Sequence, residues 1–96
     1  MNGPSPAIIL YTKPGCGLCD EARALLEGLL AQRAAAGRPI APVEERNILT
    51  DEAWERAFFL EIPVVEVGQR RLTLVTSPAK LRLLLAETLD GVRTAT

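Results

Sequence analysis

Two cysteines three positions apart, Cys16 and Cys19, are the residues of this sequence best suited to chemistry. They follow an apolar run and a Pro14-Gly15 turn, and they stand where a helical pattern begins. Residues at i and i+3 of a helix share a face with Cα atoms about 5 Å apart, a separation that a disulfide accepts. The spacing therefore predicts a thiol pair that can close and reopen a ring with little backbone movement.

The two thiols are not equivalent, because Cys16 is predicted at the helix N-terminus. Free N–H groups and the helix dipole favour an anion there, and Lys13 adds a positive charge across the loop. Both effects favour the thiolate, which is the form that attacks disulfides. Cys19 lies one turn inside the helix and is expected to be more buried. We therefore interpret Cys16 as the nucleophile and Cys19 as the resolving thiol.

A Cys-x-x-Cys pair can also be half of a zinc or iron–sulfur site, which needs four ligands. The sequence has 2 cysteines and no histidine, so thiolates and imidazoles of one chain cannot complete such a site. A structural disulfide is disfavoured, because so short a spacing closes almost no loop. We prefer a redox-active dithiol. The alternatives are a dimeric module that binds or delivers a metal or cluster through Cys16, and a non-redox interaction scaffold.

Composition limits the classes of protein that need consideration. A chain of 96 residues, 48% of them apolar, predicts a single domain over residues 1–96 with a modest core. The net charge of −1 gives no reason to expect nucleic acid or an anionic membrane as a partner. No stretch approaches the roughly 20 apolar residues of a spanning helix, and no basic signal region precedes the first apolar run. We expect a cytoplasmic monomer, in a reducing compartment where a cysteine pair is more often catalytic than structural.

The first half of the chain predicts a strand, a helix and a second strand. A continuous apolar run over Ala7–Thr12 is typical of a strand covered on both faces. Helical spacing begins near Gly17 and stops at Gly37. Its expected buried stripe is Leu18, Ala22, Leu25, Leu26, Leu29, Leu30 and Arg33. Val43–Ile48 is a polar strand that suits a sheet edge.

The second half predicts two helices with a β-hairpin between them. Thr50 is a good N-cap for a short helix whose Trp54 and Phe58 are expected in the core. Val64–Val67 and Arg71–Val75 form the hairpin, which Pro63 precedes, and Ser77-Pro78 begins the last helix.

The resulting order is β-α-β-α-β-β-α. Sequential elements and a right-handed first crossover place the first strand between the second strand and the hairpin. We therefore predict an α/β fold with a four-stranded mixed sheet flanked by helices. Residues 1–6 and 92–96 are expected to be flexible tails.

Over about residues 7–90 the sequence resembles the glutaredoxin family of the thioredoxin-like fold. The matching segments are Tyr11-Thr12-Lys13-Pro14-Gly15-Cys16-Gly17-Leu18-Cys19, Ile62-Pro63-Val64 and the stretch from Asn47-Ile48 to Asp51. The resemblance implies that Pro63 is a cis-proline facing the cysteines and that the backbone of Ile62 pairs with the substrate. It also implies that Lys13 binds the glycyl carboxylate of glutathione.

Two segments depart from the family pattern. Gly17-Leu18 replaces the usual Pro-Tyr between the cysteines, so the aromatic hydroxyl that lines a glutathione groove is missing. Val75-Thr76-Ser77-Pro78 replaces the Gly-Gly-x-x-Asp segment that holds the γ-glutamyl end, although Ser77 and free N–H groups at that helix start could take a carboxylate. We expect an oxidoreductase with no tightly bound cofactor, acting on disulfide-containing proteins or glutathione. Its reductant would be glutathione or a reductase.

Overall fold

A computed structural model describes residues 7–90, and the tails predicted at residues 1–6 and 92–96 lie outside the described residues. The elements are β1 (Ile8–Thr12), α1 (Gly17–Ala35), β2 (Val43–Asn47), a 3₁₀ helix (Ile48–Thr50), α2 (Glu52–Phe58), β3 (Val64–Val67), β4 (Arg70–Leu72) and α3 (Pro78–Leu89). This is the predicted order with one added 3₁₀ turn. Within residues 7–90, no helix combines the length and the apolar content needed to cross a membrane.

The four strands form one mixed sheet in the order β2-β1-β3-β4. β1 pairs in parallel with β2 and antiparallel with β3, which pairs antiparallel with β4. The polar strand β2 is therefore at an edge, as predicted. The register sets Thr12 beside Asn47 and Tyr11 beside Val64. The loop after β1, the end of β2 and the start of β3 consequently lie at the same end of the sheet.

Alternating side chains of the central strands pack into two apolar clusters, one on each face of the sheet. Ile8 and Leu10 belong to the larger cluster with α1 and α3, whose contribution is Ala22, Leu26, Leu29, Leu81, Leu84 and Leu85. Tyr11 and Val64 belong to the smaller cluster with Phe58 of α2, and Trp54 packs against it. Helices therefore cover both faces, and both aromatic residues of α2 contribute to the core as expected.

The start of α2 differs from the prediction, because Asp51 and not Thr50 is its N-cap. One carboxylate oxygen of Asp51 accepts the N–H groups of Ala53 at 2.8 Å and Trp54 at 3.1 Å. Thr50 instead completes the 3₁₀ turn, and its hydroxyl donates to the carbonyl of Asn47 at 2.7 Å. The extra turn after β2 moves the helix start by one residue.

The other predicted helix ends agree with the structure. Ser77 caps α3, its hydroxyl oxygen accepting the N–H of Lys80 at 3.1 Å, and Pro78 is the first helical residue. α1 ends at Ala35, and Gly37 adopts a φ of 74°, the left-handed conformation that suits glycine after a helix.

β4 ends at Leu72, so the prediction that this strand continues to Val75 is wrong. The chain leaves the sheet and binds the segment before β3. The N–H of Leu74 donates to the carbonyl of Glu61 at 2.8 Å, and the N–H of Val75 donates to that of Pro63 at 3.0 Å. These long-range hydrogen bonds end the hairpin and draw residues 73–76 toward Pro63.

Candidate functional site

Cys16 and Cys19 are joined by a disulfide across the first turn of α1, with their Cα atoms 5.2 Å apart. Cys16 is the N-cap residue of α1, with extended backbone at φ −103° and ψ 107°. Its Sγ accepts a hydrogen bond from the N–H of Cys19 at 3.1 Å. Cys19 is fully buried, whereas Cys16 is only half-buried. The outer sulfur therefore lies against the helix N-terminus near the surface, and the inner sulfur lies in the core.

This position gives the Cys16 sulfur the surroundings that suit a negative charge. The free N–H groups of a helix N-terminus carry partial positive charge, and an N–H that points at sulfur favours the thiolate over the thiol. Gly15 forms the turn that presents Cys16, with a φ of 75° that side chains other than glycine rarely adopt. The surroundings of the Cys16 sulfur are thus determined by residues close to it in the sequence.

The segment before β3 supplies the opposite wall. The peptide bond between Ile62 and Pro63 is cis, and both residues are buried. Ile62 belongs to the same apolar cluster as Cys19, and Cys16 packs against that cluster. The pairing of β1 with β3 therefore brings residues about 45 positions apart in the sequence to one site.

Lys13 and Ser77, the other two predicted binding residues, are placed differently. The Lys13 ammonium lies 5.8 Å from the centroid of the Phe59 ring, on the segment that leads to Pro63. The Ser77 hydroxyl oxygen accepts the N–H of Lys80, and Val75, two residues before Ser77, donates its N–H to the Pro63 carbonyl. Lys13 thus lies beside the segment that leads to Pro63, and the binding roles of Lys13 and Ser77 stay predictions.

A charged network that the sequence did not indicate lies on the β2 side of the cysteine loop. Arg23 donates to Glu45 from Nε at 2.8 Å and to Asp20 from Nη1 at 2.9 Å. The buried hydroxyl of Thr12 donates to the other oxygen of Glu45 at 2.8 Å. The hydrogen bond from Arg23, with that from Thr12, holds the pKa of Glu45 below its usual range. Glu45 in turn raises the pKa of Arg23.

Exposed apolar side chains lie on the first turn of α1 and on the segments next to Pro63. Leu18, predicted in the buried stripe of α1, is exposed, because that stripe begins at its neighbour Cys19 and continues through Ala22, Leu26 and Leu29. Phe59 and Leu60, just before the Pro63 segment, are also exposed, as is Leu74. Two adjacent apolar residues directly before Glu61-Ile62-Pro63 were the only sequence signal for this surface.

Metal coordination was the main alternative for the cysteine pair. In the part of the chain that the structure describes, no three His, Cys, Asp or Glu side chains converge as a metal ion requires. The two sulfurs are bonded to each other.

Comparison with known proteins gives a consistent result. The family model of the glutaredoxin-like domain (DUF836) matches residues 7–88. The X-ray structure of protein XcR50 from X. campestris is 27% identical with a TM-score of 0.68, covering 91% of this chain and 100% of that one. The solution NMR structure of protein Ne2328 from Nitrosomonas europaea is 20% identical with a TM-score of 0.61, covering 95% and 96% respectively. These likenesses confirm the predicted thioredoxin-like α/β fold. No curated protein matches the sequence.

Proposed function

Because this chain belongs to the family of glutaredoxin-like domains, we propose that it is a thiol–disulfide oxidoreductase with Cys16 as nucleophile and Cys19 as resolving thiol. The observation that carries the proposal is the position of the Cys16 sulfur. It caps α1, approaches the surface and is bonded to a buried partner one turn away. A sulfur so placed is favoured as the thiolate, and thiolates attack disulfides.

The exchange runs in two displacements. The reduced Cys16 thiolate attacks one sulfur of a substrate disulfide, so a Cys16–substrate bond forms and the substrate S–S bond breaks. The departing substrate sulfur leaves as a thiolate and takes up a proton. Cys19 then loses its proton and attacks the Cys16 sulfur, which closes the Cys16–Cys19 bond and releases the second substrate thiol. In sum, two electrons pass from the protein to the substrate, and its two sulfurs take up two protons, one released by Cys19 and one supplied by solvent.

The remaining site residues hold the substrate during these steps. Ile62, which shares an apolar cluster with Cys19, and the adjoining Pro63 support the substrate backbone next to its reacting sulfur. Lys13 and Ser77 take the carboxylates when glutathione is the partner. Two molecules of glutathione, or a dithiol reductase, return the Cys16–Cys19 disulfide to the reduced state. Both electrons come from sulfur, so the cycle requires no bound cofactor.

Alkylation tests the activation of Cys16. In the reduced protein at neutral pH, iodoacetamide should modify Cys16 faster than a free cysteine thiol, which is half-ionised only at about pH 8.5. Peptide mass spectrometry assigns the modified residue. The fast phase should persist in Cys19→Ser and vanish in Cys16→Ser. A Cys16 thiol that reacts no faster than a model thiol would overturn the proposal.

Turnover is measured side by side on a glutathione mixed disulfide and on insulin. Cys16→Ser should abolish both activities. Cys19→Ser should abolish insulin reduction, which needs the second displacement, while glutathione itself can resolve the mixed disulfide.

A further inference from the structure

Four exposed apolar side chains lie on the first turn of α1, on the segment before Pro63 and on the segment hydrogen-bonded to it. Their exposed fractions are 47% for Leu18, 54% for Phe59, 79% for Leu60 and 53% for Leu74. We call these four residues the apolar collar. Single exposed leucines are common on protein surfaces. Several exposed apolar side chains beside a reactive sulfur instead indicate a binding surface.

Backbone and side-chain contacts connect the collar with the cysteines. Leu18 stands between the two cysteines on the first turn of α1. The Phe59 ring receives the Lys13 ammonium from the cysteine loop, and the N–H of Leu74 is hydrogen-bonded to Glu61 beside Ile62. Three of the collar residues are therefore tied to segments of the site, and the fourth, Leu60, lies two residues before Ile62, which belongs to the cluster against which Cys16 packs.

The charged residues near the cysteine loop are paired with one another and are separate from the collar. Arg23 holds both Asp20 and Glu45 through hydrogen bonds of 2.5–2.9 Å. β2, which carries Glu45, and β3, which follows the segment of Phe59 and Leu60, flank β1 on opposite sides. A substrate approaching along the Pro63 segment meets apolar side chains, with Lys13 as the cation beside them.

Leu74 provides an independent observation. Its φ of 49° places it in the left-handed region, where glycine and asparagine are favoured and leucine is strained. About half of its side chain is exposed, so packing within the fold offsets this strain only partly. A leucine kept in such a conformation beside the site is explained if its side chain contacts something outside the fold.

We propose that the apolar collar binds apolar side chains flanking the cysteine of a polypeptide disulfide, and so selects polypeptide substrates over free glutathione. This inference rests on the proposed function. A polypeptide offers side chains next to its cysteine that the collar can bury. Glutathione offers two carboxylates and no apolar side chain.

Three substrates test the inference: a disulfide-linked peptide with leucine and phenylalanine beside the cysteine, the same peptide with serine at those positions, and oxidised glutathione. The wild-type kcat/KM should be highest for the apolar peptide. Leu74→Asn, which suits the left-handed conformation, and Leu60→Asn, at the most exposed position, should each lower the apolar-to-polar ratio of kcat/KM. The expected change is roughly three- to tenfold, since burial of half a leucine side chain is of that size.

Ile40→Asn is the matched control. Ile40 is 51% exposed and precedes Val43, which pairs with Ile8 at the far end of β1 from the cysteines. This variant should leave the ratio unchanged. The urea midpoint of Leu74→Asn should stay level or rise, because asparagine relieves the strain.

Each result separates the alternatives. Equal wild-type kcat/KM for the two peptides would overturn the proposed role of the collar and leave the proposed thiol–disulfide exchange intact. Equal losses on all three substrates with a lowered urea midpoint would assign Leu74 a purely structural role and also overturn it. Failure of the wild type to reduce any of the three would overturn the proposed function, and the collar with it.

Discussion

At the scale of single residues, Glu45 shows how a side chain outside the sulfur chemistry supports the site. Arg23 and Thr12 occupy its two carboxylate oxygens, and Thr12 is the last residue before the cysteine loop. Glu45 therefore ties the end of β1 to the first turns of α1. Its pKa is lowered chiefly by the hydrogen bond from Arg23, so the folded protein favours the charged form more than the unfolded chain does.

We predict a pH-dependent loss of stability in Glu45→Gln. A lowered folded-state pKa contributes stability above the ordinary glutamate range, and this contribution is lost as the pH falls through the lowered value. The difference in unfolding free energy between wild type and Glu45→Gln should be greatest at neutral pH and shrink below about pH 4. Urea unfolding over this pH range measures it.

Glu27→Gln, which changes an exposed carboxylate of α1, is the control and should show a flatter profile. A constant difference for Glu45→Gln at all pH values would mean that the Glu45 carboxyl titrates alike in the folded and unfolded protein, which would contradict its lowered pKa.

At the scale of secondary-structure elements, the start of α1 decides the geometry of the sulfurs. Gly17 is the first helical residue, and a Cβ built there meets no atom within 4 Å. Cys16 before it is extended, which is the conformation that a following proline requires. The first helical position also tolerates proline, because its N–H has no partner inside the helix.

Gly17→Pro should therefore raise the unfolding free energy by about 0.5–1 kcal/mol, mainly by restricting the unfolded chain. Denaturant unfolding of the oxidised protein measures the change. Gly15→Ala is the contrasting variant: a Cβ there also meets open space, but the φ of 75° is strained for alanine. It should lower stability by about 1 kcal/mol. A destabilised Gly17→Pro would show that α1 does not begin where the structure places it.

At the scale of the whole molecule, the strands of the sheet differ in how completely they are paired and buried. β1 and β3 are paired on both sides and bury side chains on both faces, whereas β4 has three residues at an edge and is mostly exposed. Buried central strands open only with global unfolding, and exposed edges open locally. The site lies where the central strands end, so the rigid part of the fold holds the cysteines and Pro63.

Amide hydrogen exchange should reproduce this order. The amides of β1 and β3 should exchange slowest, with opening free energies equal to that of global unfolding, and those of β4 should exchange faster. Exchange followed by NMR or mass spectrometry under native conditions measures both. Protection of β4 equal to that of β1 would show that the hairpin opens only with the rest of the sheet.

Sequence alone predicted the element order, the mixed sheet and the disulfide-forming pair. It did so because these depend on short-range patterns: an apolar run, a helical period, and two thiols one turn apart at a helix start. It also placed the more buried thiol at Cys19 and the cap of α3 at Ser77 for the same reason. These features need only local backbone geometry.

Only the tertiary structure decided which side chains surround Cys16. The link between Glu45 and Thr12 depends on the register of β1 with β2, and Leu74 reaches the site because the chain leaves β4 early to bond with Glu61. Leu18 is exposed because the buried stripe of α1 begins at Cys19 and does not include the residue before it. Contacts between distant segments depend on register and loop paths, which side-chain periodicity along one segment does not encode.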